Sequence, residues 1–263
     1  MRFLLSRRWL LFAVGVAALA WLTSQLGQWQ FHRLDERRAE NRLVAHNLDQ
    51  PPVQLDDLMR VGAEPSSSHE WREVTLHGTW DDAHTIVVKY QTRDSGAGVD
   101  VVTPLVTESG NAVLVDRGWL ATANNGATRP KLPPAQSGPV TVLGWVRVDG
   151  TGGSTEVTDL STRAISSRAA AKVVPYPLYG GFVDLHTESP TPAKRLGATE
   201  LPDDKSEGPH FVYGLQWWFF SALAIFGFGY LVYDEWERRR EEREGSEAAQ
   251  GPAVDGEHDP GEE

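Results

Sequence analysis

Two long stretches of this chain hold no charged residue, and between them apolar and polar positions alternate with the period of β-strands. Residues 9–26 form the first stretch, eighteen residues and about 27 Å as a helix, near the minimum for crossing a bilayer. Residues 211–233 form the second, twenty-three residues and about 34 Å, enough to cross with some tilt. A helical stretch over about residues 30–45 and a turn at Pro51-Pro52 lead into the alternating region. There Val74, Leu76 and Trp80 face one way and Thr75, His77 and Thr79 the other. Residues 84–90, 99–106, 112–116, 140–148 and 181–185 read as further strands. Residues 159–173 are the one internal helix, while 120–138 and 186–209 are connections rich in proline and glycine. The pattern predicts a membrane protein in which two transmembrane helices flank an extracytoplasmic β-rich (α+β) domain, folded as an antiparallel sheet or small barrel.

Charge orients the two spans. Arg2, Arg7 and Arg8 precede the first, with no acid among them, and a loop as long as residues 27–210 translocates whatever its charge. Both termini are therefore expected in the cytoplasm, although Arg33, Arg37, Arg38 and Arg42 lie on the loop side. Ala18-Leu19-Ala20 resembles a signal-peptidase site, and Ser6-Arg7-Arg8-Trp9-Leu10 resembles a twin-arginine signal. The apolar run continues past both through Trp21, Leu22 and Leu26, which favours a retained anchor. The formal charge of −11 is concentrated at the end: residues 234–263 carry twelve acids and four arginines, a net of −8 that leaves −3 for the rest. That segment reads as an acidic, disordered cytoplasmic tail. With no basic stripe elsewhere, nucleic acid is not an expected partner.

Cysteine is absent, which excludes disulfides, thiolate nucleophiles and cysteine-ligated metals. GxSxG, HExxH, P-loop and GxGxxG signatures are missing as well. No acid is read as lying within an apolar run where burial would raise its pKa for acid–base work. His77 and His84 lack metal-ligand spacing, and Ser68-His69-Glu70 is only a local triplet.

The membrane boundaries on the loop side are more informative. Gly208-Pro209-His210 opens the second span; Pro209 suits the first helical position, and the helix dipole there favours a neutral imidazole able to ligate iron. At helical spacing His210, Tyr213, Gly214, Trp217 and Ser221 share a face. Gly214 would leave a gap for a flat apolar macrocycle beside Tyr213 and Trp217, and Arg33 and Arg37 on the first boundary suit its propionate carboxylates. The plainer reading, which physics alone favours, is an aromatic belt with one interfacial histidine.

Five motifs stand in order along the chain. Leu26-Gly27-Gln28-Trp29-Gln30-Phe31-His32-Arg33 with Arg37 marks the entry to the loop, and His210-Phe211-Val212-Tyr213 with Gln216-Trp217 marks the exit. Between them lie Val74-Thr75-Leu76-His77-Gly78 with Thr103-Pro104-Leu105, then Leu114-Val115-Asp116-Arg117-Gly118-Trp119, then Val142-Leu143-Gly144-Trp145-Val146-Arg147. From about residue 9 to 235 the chain thus resembles the surfeit locus protein 1 family, the cytochrome c oxidase assembly factors, as a bacterial member. It departs from the family pattern at Asp116, where asparagine is usual, and at Gly208-Pro209, where asparagines often precede the histidine. The resemblance implies an assembly factor rather than an enzyme, one that supports maturation of oxidase subunit I by holding haem a at the membrane and passing it on. It implies His210 as the iron ligand, with the haem a synthesis machinery and the lipid bilayer as further partners. Two other readings stand beside it: a structural scaffold for subunit I that binds no haem, and a membrane-tethered hydrolase, which requires a pocket of convergent titratable groups. Trp29 reads as an interface anchor, Trp119 as a residue packing the sheet, and Arg117 as either a loop stabiliser or a partner contact.

Overall fold

In the computed structural model, which describes residues 2–93, 96–203 and 205–249, both apolar stretches lie inside helices much longer than themselves. The N-terminal helix is Arg7–Leu48 and the C-terminal helix His210–Ala249. Both are long and apolar enough to cross a membrane, and almost none of their most apolar segments is buried inside the protein. A core helix of a soluble protein would be covered there, so exposure of this kind supports membrane anchoring.

The chain forms two compact units, one of residues up to Arg38 together with those from Ser206 onward, the other of Ala39–Lys205. In the first unit the helices run antiparallel. Buried Gly27 on one meets the Gly214 carbonyl and the Trp218 ring on the other, and small residues at the contact let the two backbones approach closely. The Ser221 hydroxyl donates to the Ala20 carbonyl at 2.9 Å, and Phe12 meets Phe228 with ring centroids 5.5 Å apart.

The second unit carries eight strands: β1 (Val53–Gln54), β2 (Glu73–Trp80), β3 (Ile86–Arg93), β4 (Gly96–Val106), β5 (Ala112–Ala121), β6 (Pro139–Arg147), β7 (Ser161–Thr162) and β8 (Leu178–Ser189). They are ordered β1-β2-β6-β8-β5-β4-β3-β7, and β2 also pairs with β4. The five strands β2, β6, β8, β5 and β4 therefore close a small ring. It is mixed rather than purely antiparallel, since β5 and β8 run parallel from Ala112↔Leu178 to Asp116↔Asp184. The long connection through β6 and β7 is what lets β8 return in the same direction as β5.

Alternation decides what is buried. Val113 and Val115 of β5 join Val74, Leu76, Leu105, Val142 and Val183 in one core, while Ala112 and Leu114 face Ile86, Val102, Ala170 and Phe182 in a second. Because β5 is covered on both faces, the next position, Asp116, is buried too.

Two expectations are corrected. The internal helix shrinks to one turn, Ser167–Ala170, and Ser161–Thr162 is a strand. Asp159 and Leu160 adopt φ of 50° and 51°, which interrupts any helix, and Asp149 caps the turn by accepting the Ser167 N–H at 2.7 Å. The acidic tail, read as disordered from residue 234, is helical through Ala249, and its remainder lies outside the described residues. Its charges alternate in sign at helical spacing: Arg238 pairs with Asp234, Arg239 with Glu235 at 2.7 Å and Arg240 with Glu244 at 2.8 Å. Arginine and glutamate are good helix formers, so a high net charge does not prevent the helix. Each pair is exposed to solvent and screening, so it adds little to stability. Truncation after Arg243 is accordingly expected to leave the protein in the membrane pellet after alkaline carbonate extraction; release into the supernatant would contradict this.

Candidate functional site

His210 opens the C-terminal helix, with the Pro209 carbonyl accepting the Tyr213 N–H at 3.1 Å. The imidazole Nδ1 lies 2.9 Å from Gln30 Oε1 on the N-terminal helix. An amide oxygen only accepts, so Nδ1 donates to it, and in the neutral ring Nε2 keeps its lone pair. Gly208, at φ +66°, faces that edge of the ring: a Cβ there would stand 3.6 Å from Nε2.

Gly214 is buried against the N-terminal helix, where a Cβ would meet the Phe31 ring at 2.9 Å. The gap expected beside Gly214 is thus filled by Phe31, which also packs on Trp218 at 5.0 Å. Trp217 is half-buried and edge-on to Phe220, whereas Tyr213 points outward, exposed. Arg33 donates to Glu36 at 2.9 Å and lies over the exposed Trp29 ring at 5.8 Å. Arg37 Nε donates to the Ser206 carbonyl at 3.5 Å, so it reaches the segment just before His210. Next to it Arg38 grips Glu207 with two bonds of 2.8 and 2.9 Å and holds that carboxyl below its ordinary range.

In the β-domain, Asp116 to Trp119 act as a device that splits two strands. The Asp116 carboxylate accepts the Gly118 N–H at 2.9 Å. Arg117 is buried beneath Trp80 at 5.6 Å and donates to the Pro133 and Pro134 carbonyls at 3.5 and 3.3 Å. Gly118 adopts φ +121°, with the Gly197 carbonyl so near that a Cβ would approach it to 2.3 Å. Trp119 exchanges both backbone bonds with Gly197, at 2.9 and 2.8 Å, and its indole N–H donates to the Gln91 carbonyl at 3.0 Å. Arg117 thus holds a loop and Trp119 packs the sheet.

The same region overturns the reading that no acid is buried in an apolar run. Asp100, Asp116 and Asp184 are only 9, 5 and 3% exposed on the neighbouring strands β4, β5 and β8. Arg93 bonds Asp100 at 2.9 Å and Arg147 bonds Asp184 at 2.6 Å. Among the described residues, Asp116 has no ion-pair partner of this kind. Burial pushes all three carboxyls up, Asp100 to about 6, and the like charges of Asp100 and Asp184 add to the effect on Asp116, which lies well above the ordinary range. The signal was present in the sequence, since each of these aspartates directly follows a strand valine (Val99, Val115, Val183). Among the described residues, no group of three or more His, Asp or Glu side chains is arranged to hold a metal ion.

The model of the SURF1 family matches residues 17–222, from within the first apolar stretch to within the second. The chain belongs to the SURF1 family. Uncharacterised SURF1-like proteins of Mycobacterium tuberculosis and Mycobacterium bovis are 29% identical to it over 250 residues, which covers 93% of this chain and 90% of each relative. A SURF1-like protein of Dictyostelium discoideum is 27% identical over 101 residues, 36% of this chain. The SURF1 family is associated with cytochrome oxidase assembly and its members are generally not enzymes. The matched SURF1 region contains the Gln30–His210 pair and the strand-splitting motif alike.

In this SURF1 chain Gly118 has a checkable role. Gly118→Ala forces a Cβ against the Gly197 carbonyl at a left-handed φ, a cost on the order of 2–4 kcal/mol. The loop over residues 190–198 should then detach, and trypsin should cut at Lys194 and Arg195 faster than in wild type. Unchanged cleavage would show that the contact does not hold the loop.

Proposed function

We propose that this protein is a membrane-anchored carrier of haem a for cytochrome c oxidase assembly, passing the haem to oxidase subunit I, with both termini in the cytoplasm and the β-domain outside. The observation that carries the reading is the Gln30–His210 hydrogen bond: by fixing the proton on Nδ1 it leaves Nε2 as the ligating atom. The donor set fits haem iron, and the glycine at 208 leaves the Nε2 edge uncrowded. The filled space at Gly214 does not fit a macrocycle between the helices, so the flat contact falls to Tyr213, exposed on the outer side of the first turn. Haem a, when bound, would supply an iron able to accept an imidazole nitrogen. His210 then holds it through one neutral, releasable bond, and Arg33 and Arg37 offer charge to its carboxylates from the same end of the helix pair. Transfer to a subunit needs modest affinity of this kind and no acid–base pair.

The test is complementation. In cells lacking their own copy, His210→Ala at normal membrane abundance is expected to give assembled oxidase no better than the empty vector. Full oxidase assembly by that variant would overturn the haem role and leave the protein as a scaffold.

A further inference from the structure

Strand β8 keeps β6 beside it as far as Ser189↔Thr141, but β5 only as far as Asp184↔Asp116. Beyond that point β5 turns away at Gly118 to pair through Trp119 with Gly197. Residues 185–189 are left, among the described residues, with one edge that has no ladder partner. In an antiparallel pair alternate residues direct their N–H and C=O away from the partner, here toward the side that β5 has vacated.

That side is a cleft of about 340 Å³ between β8 and the loop over residues 190–198. The loop is fixed as a wall by Gly197 on Trp119 and by Arg93, which donates to the Ala198 carbonyl at 2.6 Å. Three cations line the cleft: Arg117, Lys194 and Arg195. Arg117 is buried, and its contacts, 3.3 and 3.5 Å to carbonyls and 3.6 Å to Asp82, are long enough to leave it donor capacity. One acid, Glu188, also lines it. A register shift between Leu143 and Gly144 sets Glu188 opposite Val142, a core residue; its carboxylate oxygens are buried and face the Trp80 indole N–H and the Arg117 cation. Bulges commonly re-aim side chains toward sites.

We propose that this cleft binds an extended acidic peptide segment of a partner protein, added as a strand along residues 185–189. The segment's carboxylates meet Arg117, Lys194 and Arg195, and its main chain supplies N–H donors to the open edge. A simple anion site accounts for the cations, but it does not use the open edge of residues 185–189. The inference is independent of the haem reading, since it involves none of the residues around His210.

The test uses the full chain in nanodiscs of phosphatidylcholine and a fluorescein-labelled, end-blocked Val-Glu-Val-Asp-Val-Glu peptide read by anisotropy. Saturable binding is expected, weakened about tenfold or more by the exposed pair Lys194→Glu and Arg195→Glu and weakened by added salt. A backbone N-methylated peptide of the same charge should bind at least about tenfold more weakly, because it cannot donate to a strand edge. The proposal is overturned if the acidic peptide does not bind, if the double variant binds it unchanged, if the N-methylated peptide binds equally well, or if equimolar inorganic phosphate displaces it.

Discussion

Replacing Asp116 by asparagine is expected to stabilise the folded protein by on the order of 2 kcal/mol at pH 8, although the substitution falls in the middle of a five-motif pattern. The wild-type carboxyl is buried beside Asp100 and Asp184, and the two nearby cations are already taken: Arg93 by Asp100 and Arg147 by Asp184. Asparagine keeps the oxygen that accepts the Gly118 N–H and brings an amide that can donate to the neighbouring carboxylates. The pH dependence follows with a definite sign. All three carboxyls hold protons more tightly folded than unfolded, so above the unfolded value near 3.8 the folded state binds more protons and stability falls as pH rises. The slope is roughly 1.4 kcal/mol per pH unit for each proton retained. For Asp100 the loss runs between pH 3.8 and about 6; for Asp116 it extends beyond. Urea unfolding followed by tryptophan fluorescence should therefore give a midpoint that falls from pH 5 to pH 8 in wild type and falls less in Asp116→Asn. A flat wild-type profile, or a less stable asparagine variant, would refute this picture of the acid cluster.

Gln30→Leu is expected to weaken haem binding about 10- to 100-fold while leaving His210 in place. Leucine is similar in size but cannot accept the Nδ1 proton, so the ring is free to rotate and to exchange tautomers, and Nε2 is no longer held as the acceptor. Gln30→Glu should act in the opposite direction, because a carboxylate accepts the same proton more strongly and raises the basicity of Nε2. Titration of the detergent-solubilised full chain with haem would rank affinities Glu above Gln above Leu. Equal affinities in all three would mean that the hydrogen bond does not position the ligand.

Periodicity was enough to find the two apolar helices and six of the eight strands, because burial follows alternation directly in residues such as Val74, Leu76 and Val142. The other two, β1 and β7, are two-residue strands recognisable only from their partners. At the candidate site, sequence spacing placed His210 on the first helical turn and grouped Gly214 with Tyr213, Trp217 and Ser221 on one face around an open gap, whereas Gly214 is packed by Phe31 and Tyr213 is exposed. It missed Gln30 as the partner of His210 and Phe31 as the residue that fills the space at Gly214, since both lie about 180 residues away and depend on how two helices align. The buried aspartates were missed for a different reason. One charged residue beside a strand valine looks like an edge or exposed position; only the pairing of β5 with β8 sets Asp116 opposite Asp184, and the shifted register of β4 on β5 brings Asp100 near them.

The most direct measurement is the optical spectrum of the protein purified from cells that make haem a. Carriage through His210 predicts a Soret band in wild type that is lost in His210→Ala and diminished in Gln30→Leu. No Soret band in wild type, or an undiminished band in His210→Ala, would contradict it.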